Sequence, residues 1–395
     1  MYASVHTDRS GRVFVSDDRE AAAMDGAEAA PLAEAIPLPP GSELLPLPRE
    51  AVAFDRGGRP RPLAKGRLAL AALVPGHIRL AFPAYVDDAD AGPLDPLPYA
   101  AVGADARGEL VVAAARAGAP QPAGTAHRGH SPLRAHPANA LARQLARCSR
   151  DHACASAKLG VGGPELPVPL GAPPAERPRA PVALRSGYAG APIEPASFRP
   201  TAREIVEVAA SHLAAGGGPV AFGRGCDGEP LARIRVLEEA IAGIRARAPR
   251  AEIHLETSAS DAGALRRAAS AGLTSVAVRF GSARAETYER LHRPVAHRWS
   301  DVRASLQVAI DHGLAITIAL LVLPGLTDRP AEIDGIVALL SDLPRGRLEF
   351  RDLGADPLRT LAVFPPTRAL GVRTLLDRIR EADHFEVRLP AAAAV

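Results

Sequence analysis

Residues 219–244 read Pro219-Val-Ala-Phe222, then Gly223-Arg-Gly-Cys-Asp-Gly-Glu-Pro230, then Leu231-Ala-Arg-Ile-Arg-Val-Leu-Glu-Glu-Ala-Ile-Ala-Gly-Ile244. A short apolar run, a glycine-rich turn, and Ile234, Leu237, Ile241 and Ile244 at helical spacing make a strand–turn–helix unit. The unit repeats downstream. Strand-like runs at Ile253–Thr257, Ser275–Phe280, Ile316–Leu323, Leu348–Leu353 and Phe385–Leu389 alternate with helical patterns at 262–271, 301–312, 331–341 and 367–381. Upstream, Thr201-Ala-Arg-Glu204 is a capping box, in which side chains satisfy the free N–H groups of a helix start. That helix carries Ile205, Val208 and Leu213 and stops at Gly216-Gly217-Gly218. Gly272 and Gly313 stand where a helix end asks for a left-handed residue. Alternating strands and helices predict a parallel sheet with right-handed crossovers. Ile316–Leu323 is apolar on both faces, so both sides of the sheet should be covered. The expected fold class is α/β, a whole or partial TIM-like (β/α) barrel, with an open doubly wound sheet as the alternative.

The N-terminal third differs. Residues 1–125 are rich in Pro and Gly and hold short β-like runs at Arg12–Val15, Ala51–Phe54, Arg67–Val74 and His77–Phe82. Tyr99–Val102 and Glu109–Ala113 bracket a Gly103–Gly108 turn and predict a hairpin. A β-rich N-terminal domain is expected over 1–125. Residues 126–200 are expected to be a short helix near 137–147 followed by a linker, since Val161–Pro200 holds ten prolines and little periodicity. The barrel is expected over 201–395.

Composition narrows the function. The 395 residues carry 47 Lys and Arg against 44 Asp and Glu, a net charge of +3. That is too small a field to recruit nucleic acid or an anionic membrane. Three cysteines rule out a disulfide framework. No apolar signal segment opens the chain, and the longest apolar run, Leu314–Pro324, is too short to span a bilayer. A soluble cytoplasmic protein is expected.

In parallel α/β folds, ligands sit at the C-terminal ends of the strands. The segments there are Gly223–Pro230, Thr257–Ser260, Gly281–Arg284, Pro324–Arg329 and Gly354–Pro357. Glycines, hydroxyls and carboxylates thus converge on one rim. Turn residues alone account for any one of these loops; five together point to a site.

Phe222-Gly-Arg-Gly-Cys-Asp-Gly-Glu-Pro-Leu231 resembles the Gly-Gly-Glu region of radical S-adenosylmethionine (SAM, AdoMet) proteins, in one bacterial subfamily of which the loop reads Gly-x-Gly-Cys-Glu-Gly-Glu-Pro. The likeness continues through Ser275–Arg284, Tyr288, Arg293-Pro294, Leu323–Arg329 and Arg351–Pro357, covering about residues 200–360. The N-terminal half, with Leu141–Cys154, resembles the same subfamily's leader. The resemblance implies a partial (β/α) barrel of radical SAM type. It also implies a [4Fe–4S] cluster on three cysteines spaced C-x3-C-x2-C after the first barrel strand, where iron–sulfur clusters take thiolate ligands. In that family one electron from the cluster cleaves a C–S bond of AdoMet and yields a 5′-deoxyadenosyl radical, so the resemblance implies AdoMet as cofactor. By the same resemblance, the Asp227-Gly228-Glu229 backbone lies against the AdoMet amino group, and Gly225 is a further cofactor-binding residue of that loop. Thr257, Ser258, Arg279 and Ser282 lie at its ribose and carboxylate, and Pro324 and Gly325 complete the rim. Ser258 and Gly354 stand where the subfamily has Asn.

The cluster motif is absent. After Leu166-Pro-Val-Pro-Leu170 comes Gly171-Ala-Pro-Pro-Ala-Glu-Arg-Pro-Arg-Ala-Pro181, without a cysteine. Three readings stay open. In the first, the chain is a degenerate, non-radical homologue that takes AdoMet, a nucleotide or a peptide as ligand, or partners an active paralogue. In the second, it is an active iron–sulfur enzyme with atypical ligation by Cys148, Cys154 and Cys226, with His152 as a fourth ligand. In the third, it is a non-radical barrel enzyme using Asp227, Glu229, Asp328 or Asp356 for acid–base work. Against the third, Glu229 has the plainer role of bonding backbone N–H groups to fix its loop. His127, His130 and His136 read as a solvated linker rather than a zinc site. His292, Arg293 and His297 read either as contacts to an anionic group or as helix-end cations.

Overall fold

The computed structural model describes residues 1–26, 28–88, 90–116, 136–151, 165–178, 182–183, 198–224, 228–381 and 385–388. Seven parallel strands form one sheet: β1 (Leu166–Val168), β2 (Val220–Phe222), β3 (Ile253–Thr257), β4 (Ser275–Phe280), β5 (Ala315–Val322), β6 (Gly346–Asp352) and β7 (Phe385–Arg388). They pair strictly in chain order, all in parallel. Between them run α1 (Ala202–Ala214), α2 (Ile234–Arg247), α3 (Ala262–Ser270), α4 (Ala285–His292), α5 (Trp299–Asp311), α6 (Pro330–Asp342), α7 (Pro357–Leu361) and α8 (Val372–Glu381). A doubly wound sheet reverses its strand order at a switch point. This one never reverses, so right-handed crossovers put every connecting helix on the same face. The result is the open, partial-barrel arrangement that the alternation of elements predicts.

Strand residues divide between the two faces with period two. Ile253, Leu255, Val276, Val278, Phe280, Ile316, Ile318, Leu320, Leu348 and Phe350 pack outward against the helices, with Leu237, Ile241, Val302, Leu306, Ile333 and Leu375. The alternate residues line the inner face: His254 and Glu256 on β3, Ala277 and Arg279 on β4, Thr317, Ala319 and Leu321 on β5, Glu349 and Arg351 on β6. The capping box at Thr201 is present in both halves. Gly272 and Gly313 take φ of 113° and 63° at their helix ends.

Leu166–Val168 is a departure from the proline-based reading of 161–200 as linker. Pro167 within the strand and Pro169 just after it hide its periodicity, but Pro167 is tolerated because β1 is the last strand in the sheet order. The Leu166 N–H donates to Pro219 O on the β2 side. By alternation the ring nitrogen of Pro167 faces away from β2, on a side that is buried.

Residues Ala3 to Val112 build an antiparallel sheet from hairpins, including Ala100–Ala104 with Leu110–Val112 as the turn at Gly103–Gly108 predicts. This sheet sits over the C-terminal ends of β5 and β6. Met24, Phe54 and Phe82 form one apolar cluster with Leu321, Leu323, Leu326 and Leu353. The Cα of Gly26 lies so close to Gly325 that a Cβ there would be 2.6 Å from it. The buried Arg79 guanidinium donates to Leu353 O at 2.6 Å, stacks over Phe82 and lies 3.6 Å from Asp352. Burial lowers Arg79 to about 10 and raises Asp352 to about 6 despite their attraction. The N-terminal sheet thus supplies the inner cover that the doubly apolar β5 requires.

Candidate functional site

The rim is organised around Glu229, which is 2% exposed. Thr257 Oγ1 donates to its Oε1 at 2.5 Å. The Ser258 N–H and Oγ donate to Oε2 at 2.8 and 2.5 Å, and the Leu231 N–H donates to Oε1 at 3.2 Å. A carboxylate receiving four donors is fully engaged. It ties residues 229–231 to the end of β3. Thr257 and Ser258, two residues assigned to ribose or carboxylate contacts by the resemblance, are spent on this internal bond. The plainer role of Glu229, loop fixation, is the one its geometry performs.

The cysteine-free segment lies across this rim. Pro173 O accepts the Glu229 N–H at 2.8 Å. A Cβ on Gly228 would be 1.9 Å from Ala172 O, so glycine alone permits this approach. The Arg177 N–H donates to Arg293 O at 3.1 Å, and the Val295 N–H to Ala175 O at 2.9 Å. Glu176 is 7% exposed and lies 3.0 Å from His292 Nδ1. Because His292 Nε2 accepts the Gly281 N–H at 3.0 Å, the ring proton sits on Nδ1 and is donated to Glu176. Burial by itself raises the Glu176 carboxyl, but His292 and then Arg279 outweigh it and hold it below the usual carboxylate value. The tie between the two segments is therefore a buried hydrogen bond from the imidazole to a charged carboxylate.

Glu176→Gln keeps the shape and removes the charge. The expected cost is about 2 kcal/mol at pH 7, measured as a shift in thermal midpoint. Since the folded value is depressed, the stabilisation is complete above the unfolded value of about 4.3 and fades as pH falls below it. The variant should therefore differ from the native protein at pH 7 and approach it in acid; an equal gap at pH 7 and pH 3 would count against the tie.

Beneath the rim, on the inner face, Glu256 is 1% exposed and meets three arginines. Arg351 Nη1 and Nη2 donate to its two oxygens at 2.8 and 3.3 Å. Arg224 and Arg279 lie 3.5 and 3.6 Å away. Arg351 also pairs with Glu349 at 2.8 Å, and Arg224 with Glu165 at 3.2 Å. Burial pushes Glu256 up, but Arg351, then Arg224 and Arg279, hold it far below its usual value. Desolvation brings the neighbouring His254 down to about 3, so it is neutral at pH 7. This layer continues into a cleft of about 980 Å³ at the N-terminal ends of the strands, lined among others by Arg224, His254, Thr317 and Glu349. Arg279, expected at a ligand carboxylate, faces Glu256 in this layer.

The remaining candidates have internal partners too. Ser282 Oγ donates to the buried Glu332 at 2.5 Å, and Thr287 Oγ1 donates to the same carboxylate at 2.6 Å. The Gly325 N–H, next to Pro324, donates to Asp328 Oδ1 at 2.7 Å. Asp356 accepts the Leu94 and Arg359 N–H groups at 2.8 and 3.2 Å. His136 lies 2.6 Å from Ser211 Oγ, and Tyr288 OH is 2.8 Å from His297 Nε2. The Arg293 backbone is left-handed, with φ 47° at the end of α4.

Gly225, Asp227, Cys226, Cys154, His152, His127 and His130 lie outside the described residues, as does the side chain of Cys148. Among the described residues no group of three His, Cys, Asp or Glu side chains could hold a metal. At the position where the resemblance expects a cluster, residues 171–178 offer no thiolate, and their backbone is bonded to the rim; these residues do not fit the group. Among the described residues no helix is long and apolar enough to cross a membrane.

Sequence reasoning did not identify the Glu256 layer or the Glu176–His292 tie. The signal for the first was present: a charged residue in the middle of a buried strand on β3, β4 and β6 alike. The second joins residues 116 apart and left no local trace.

No protein-family model matches the chain, and no curated protein does. Among solved structures it is similar to a radical SAM methyltransferase from Sphaerobacter thermophilus, with 14% identity over 50% of this chain and 60% of that one and a TM-score of 0.37. It is similar to methylornithine synthase (PylB), with 14% identity, 65% and 80% coverage and a TM-score of 0.39. It is also similar to Streptococcus suis SuiB bound to S-adenosylmethionine, with 10% identity, 58% and 50% coverage and a TM-score of 0.37. At these scores the likenesses bear on no residue's role, and the chain spans 60% of the first structure's length.

Proposed function

We propose that the chain is a degenerate member of the radical SAM group, a non-radical binding protein built on the partial barrel. One observation carries the reading: the segment standing in for the cluster loop has no cysteine and is bonded across the rim, with Pro173 O on the Glu229 N–H and Glu176 on His292. The carbonyl oxygens of Ala172 and Pro173 approach the Gly228 backbone, where the resemblance puts the AdoMet amino group. Of the rim residues that would recognise AdoMet, Thr257 and Ser258 bond to Glu229, and Ser282 bonds to Glu332 instead. Radical chemistry needs the cluster to deliver an electron, and no step through it is assigned to this chain.

The test is anaerobic reconstitution of the full chain with iron and sulfide, read by absorbance near 400 nm and by iron content, with calorimetry of AdoMet in parallel. The expected result is a colourless protein with no stoichiometric iron and no reductive AdoMet cleavage. About four irons per chain, with cleavage, would overturn the reading in favour of ligation by Cys148, Cys154 and Cys226.

A further inference from the structure

Outside the latched rim, the ladder between residues 175–177 and 293–295 forms one wall of a cleft of about 740 Å³. Arg177, Arg293 and Arg298 all line it. Among the described residues none of the three guanidiniums makes an ion pair. This contrasts with the inner layer, where Arg224, Arg279 and Arg351 each face a carboxylate. Glu289 and Asp301 also line the cleft, but Asp301 Oδ2 accepts the Arg298 N–H at 2.8 Å. Three guanidiniums therefore stand against two carboxylates. Val295, 53% exposed, gives the cleft an apolar surface.

Backbone pairing fixes two of the three arginines relative to each other. Arg177 and Arg293 are directly joined by the Arg177 N–H to Arg293 O bond. Arg293 is a bulky residue in a left-handed turn, a conformation that is unfavourable without glycine. Its placement turns the chain from α4 into the ladder. Guanidinium is planar, permanently charged and weakly hydrated, and matches oxyanions with paired N–H donors. Three such forks carry more donors than the two oxygens of a carboxylate can accept, whereas a phosphate presents three oxygens and up to two charges.

We propose that this cleft binds a phosphorylated small molecule, its phosphate held by Arg177, Arg293 and Arg298 and its body lying on Val295. The proposal deepens the non-radical reading by naming a ligand class, and it rests on residues 171–177 keeping their place on the rim. Arg177 belongs to the cysteine-free segment, so the segment that replaces a cluster loop also contributes a binding residue.

The experiment is calorimetry on the full chain at low salt with inorganic pyrophosphate, citrate and ADP as probes. Pyrophosphate is expected to bind saturably and more tightly than citrate. Arg177→Gln, Arg293→Gln and Arg298→Gln should each weaken it roughly tenfold. Arg345→Gln, the same charge change in the opposite cleft, should leave it unaltered. Arg177→Lys keeps the charge but loses the fork and should fall between. ADP binding more tightly than pyrophosphate supports an organic phosphate resting on Val295; equal affinity supports recognition of the oxyanion alone. Absence of saturable pyrophosphate binding, preference for citrate, or equal weakening by all four Gln variants would overturn the proposal. Iron uptake in the reconstitution experiment would sink the non-radical reading and leave a positive pyrophosphate result standing, so the two failures are distinguishable.

Discussion

Glu256→Gln is expected to lower the thermal midpoint by on the order of 10 °C, the largest effect of any single polar substitution in the barrel. Glu256 is the common partner of Arg351, Arg224 and Arg279. Removing one member of a buried ion pair costs about 3–5 kcal/mol, because the surviving charges are left desolvated and unpaired. Here three guanidiniums lose a shared counter-ion: Arg351 keeps Glu349 and Arg224 keeps Glu165, but Arg279 has no other carboxylate in ion-pair range among the described residues, while glutamine can accept from only one or two of the three. The comparison that isolates the cause is the double variant Glu256→Gln with Arg351→Met. It removes one stranded charge, so the pair should be less damaging than the sum of the two single changes. The pH dependence follows from the depressed carboxyl. Its contribution is whole above the unfolded value near 4.3 and erodes as pH drops toward the folded one, so the native protein should lose stability in strong acid faster than the variant. A single variant within 1 kcal/mol of the native protein would show that the arginines are solvated well enough without Glu256.

Gly228→Ala is expected to lift the 171–178 segment from the rim. The new Cβ would lie 1.9 Å from Ala172 O and 2.4 Å from Pro173 O, both backbone atoms that no side-chain rotation can move. Relief requires the segment to shift, breaking the Glu229 N–H to Pro173 O bond and drawing Glu176 away from His292. The expected cost is about 3 kcal/mol. Hydrogen exchange gives the specific readout: the Glu229, Arg177 and Val295 amides should lose protection while those of β4 and β5 keep theirs. Gly92→Ala, where no atom lies within 4 Å, is the control. Unchanged protection at the three rim amides would mean that the segment is not held as described. Since Arg177 travels with it, pyrophosphate affinity should fall in the same variant.

The alternation of β and helical periodicity made the barrel legible from Thr201 onward, because each outward strand residue, such as Val276, Val278 and Phe280, must meet a helix. The strict chain order of the strands was not legible, since periodicity distinguishes neighbours along the chain and not in the sheet. Leu166–Val168 was hidden by its prolines. At the site, the dual nature of Glu229 was visible as a choice between ligand contact and loop fixation, and its four donors resolve it. The engagement of Ser282 by Glu332, 50 residues later, was invisible because the two meet only when α6 packs beside the β4 loop. Arg293-Pro294 was legible as either a contact to an anionic group or a helix-end cation, but its neighbour Arg177 was unremarkable until the ladder joined them.

At β1 the last strand of the parallel array is not left bare: Leu166, Pro167 and Val168 are all buried. A neighbouring molecule therefore finds no accessible backbone at that strand with which to pair. Propagation from copy to copy, the first step toward fibrils, has no foothold at that end of the array, and colloidal behaviour is guarded there by the fold's own packing.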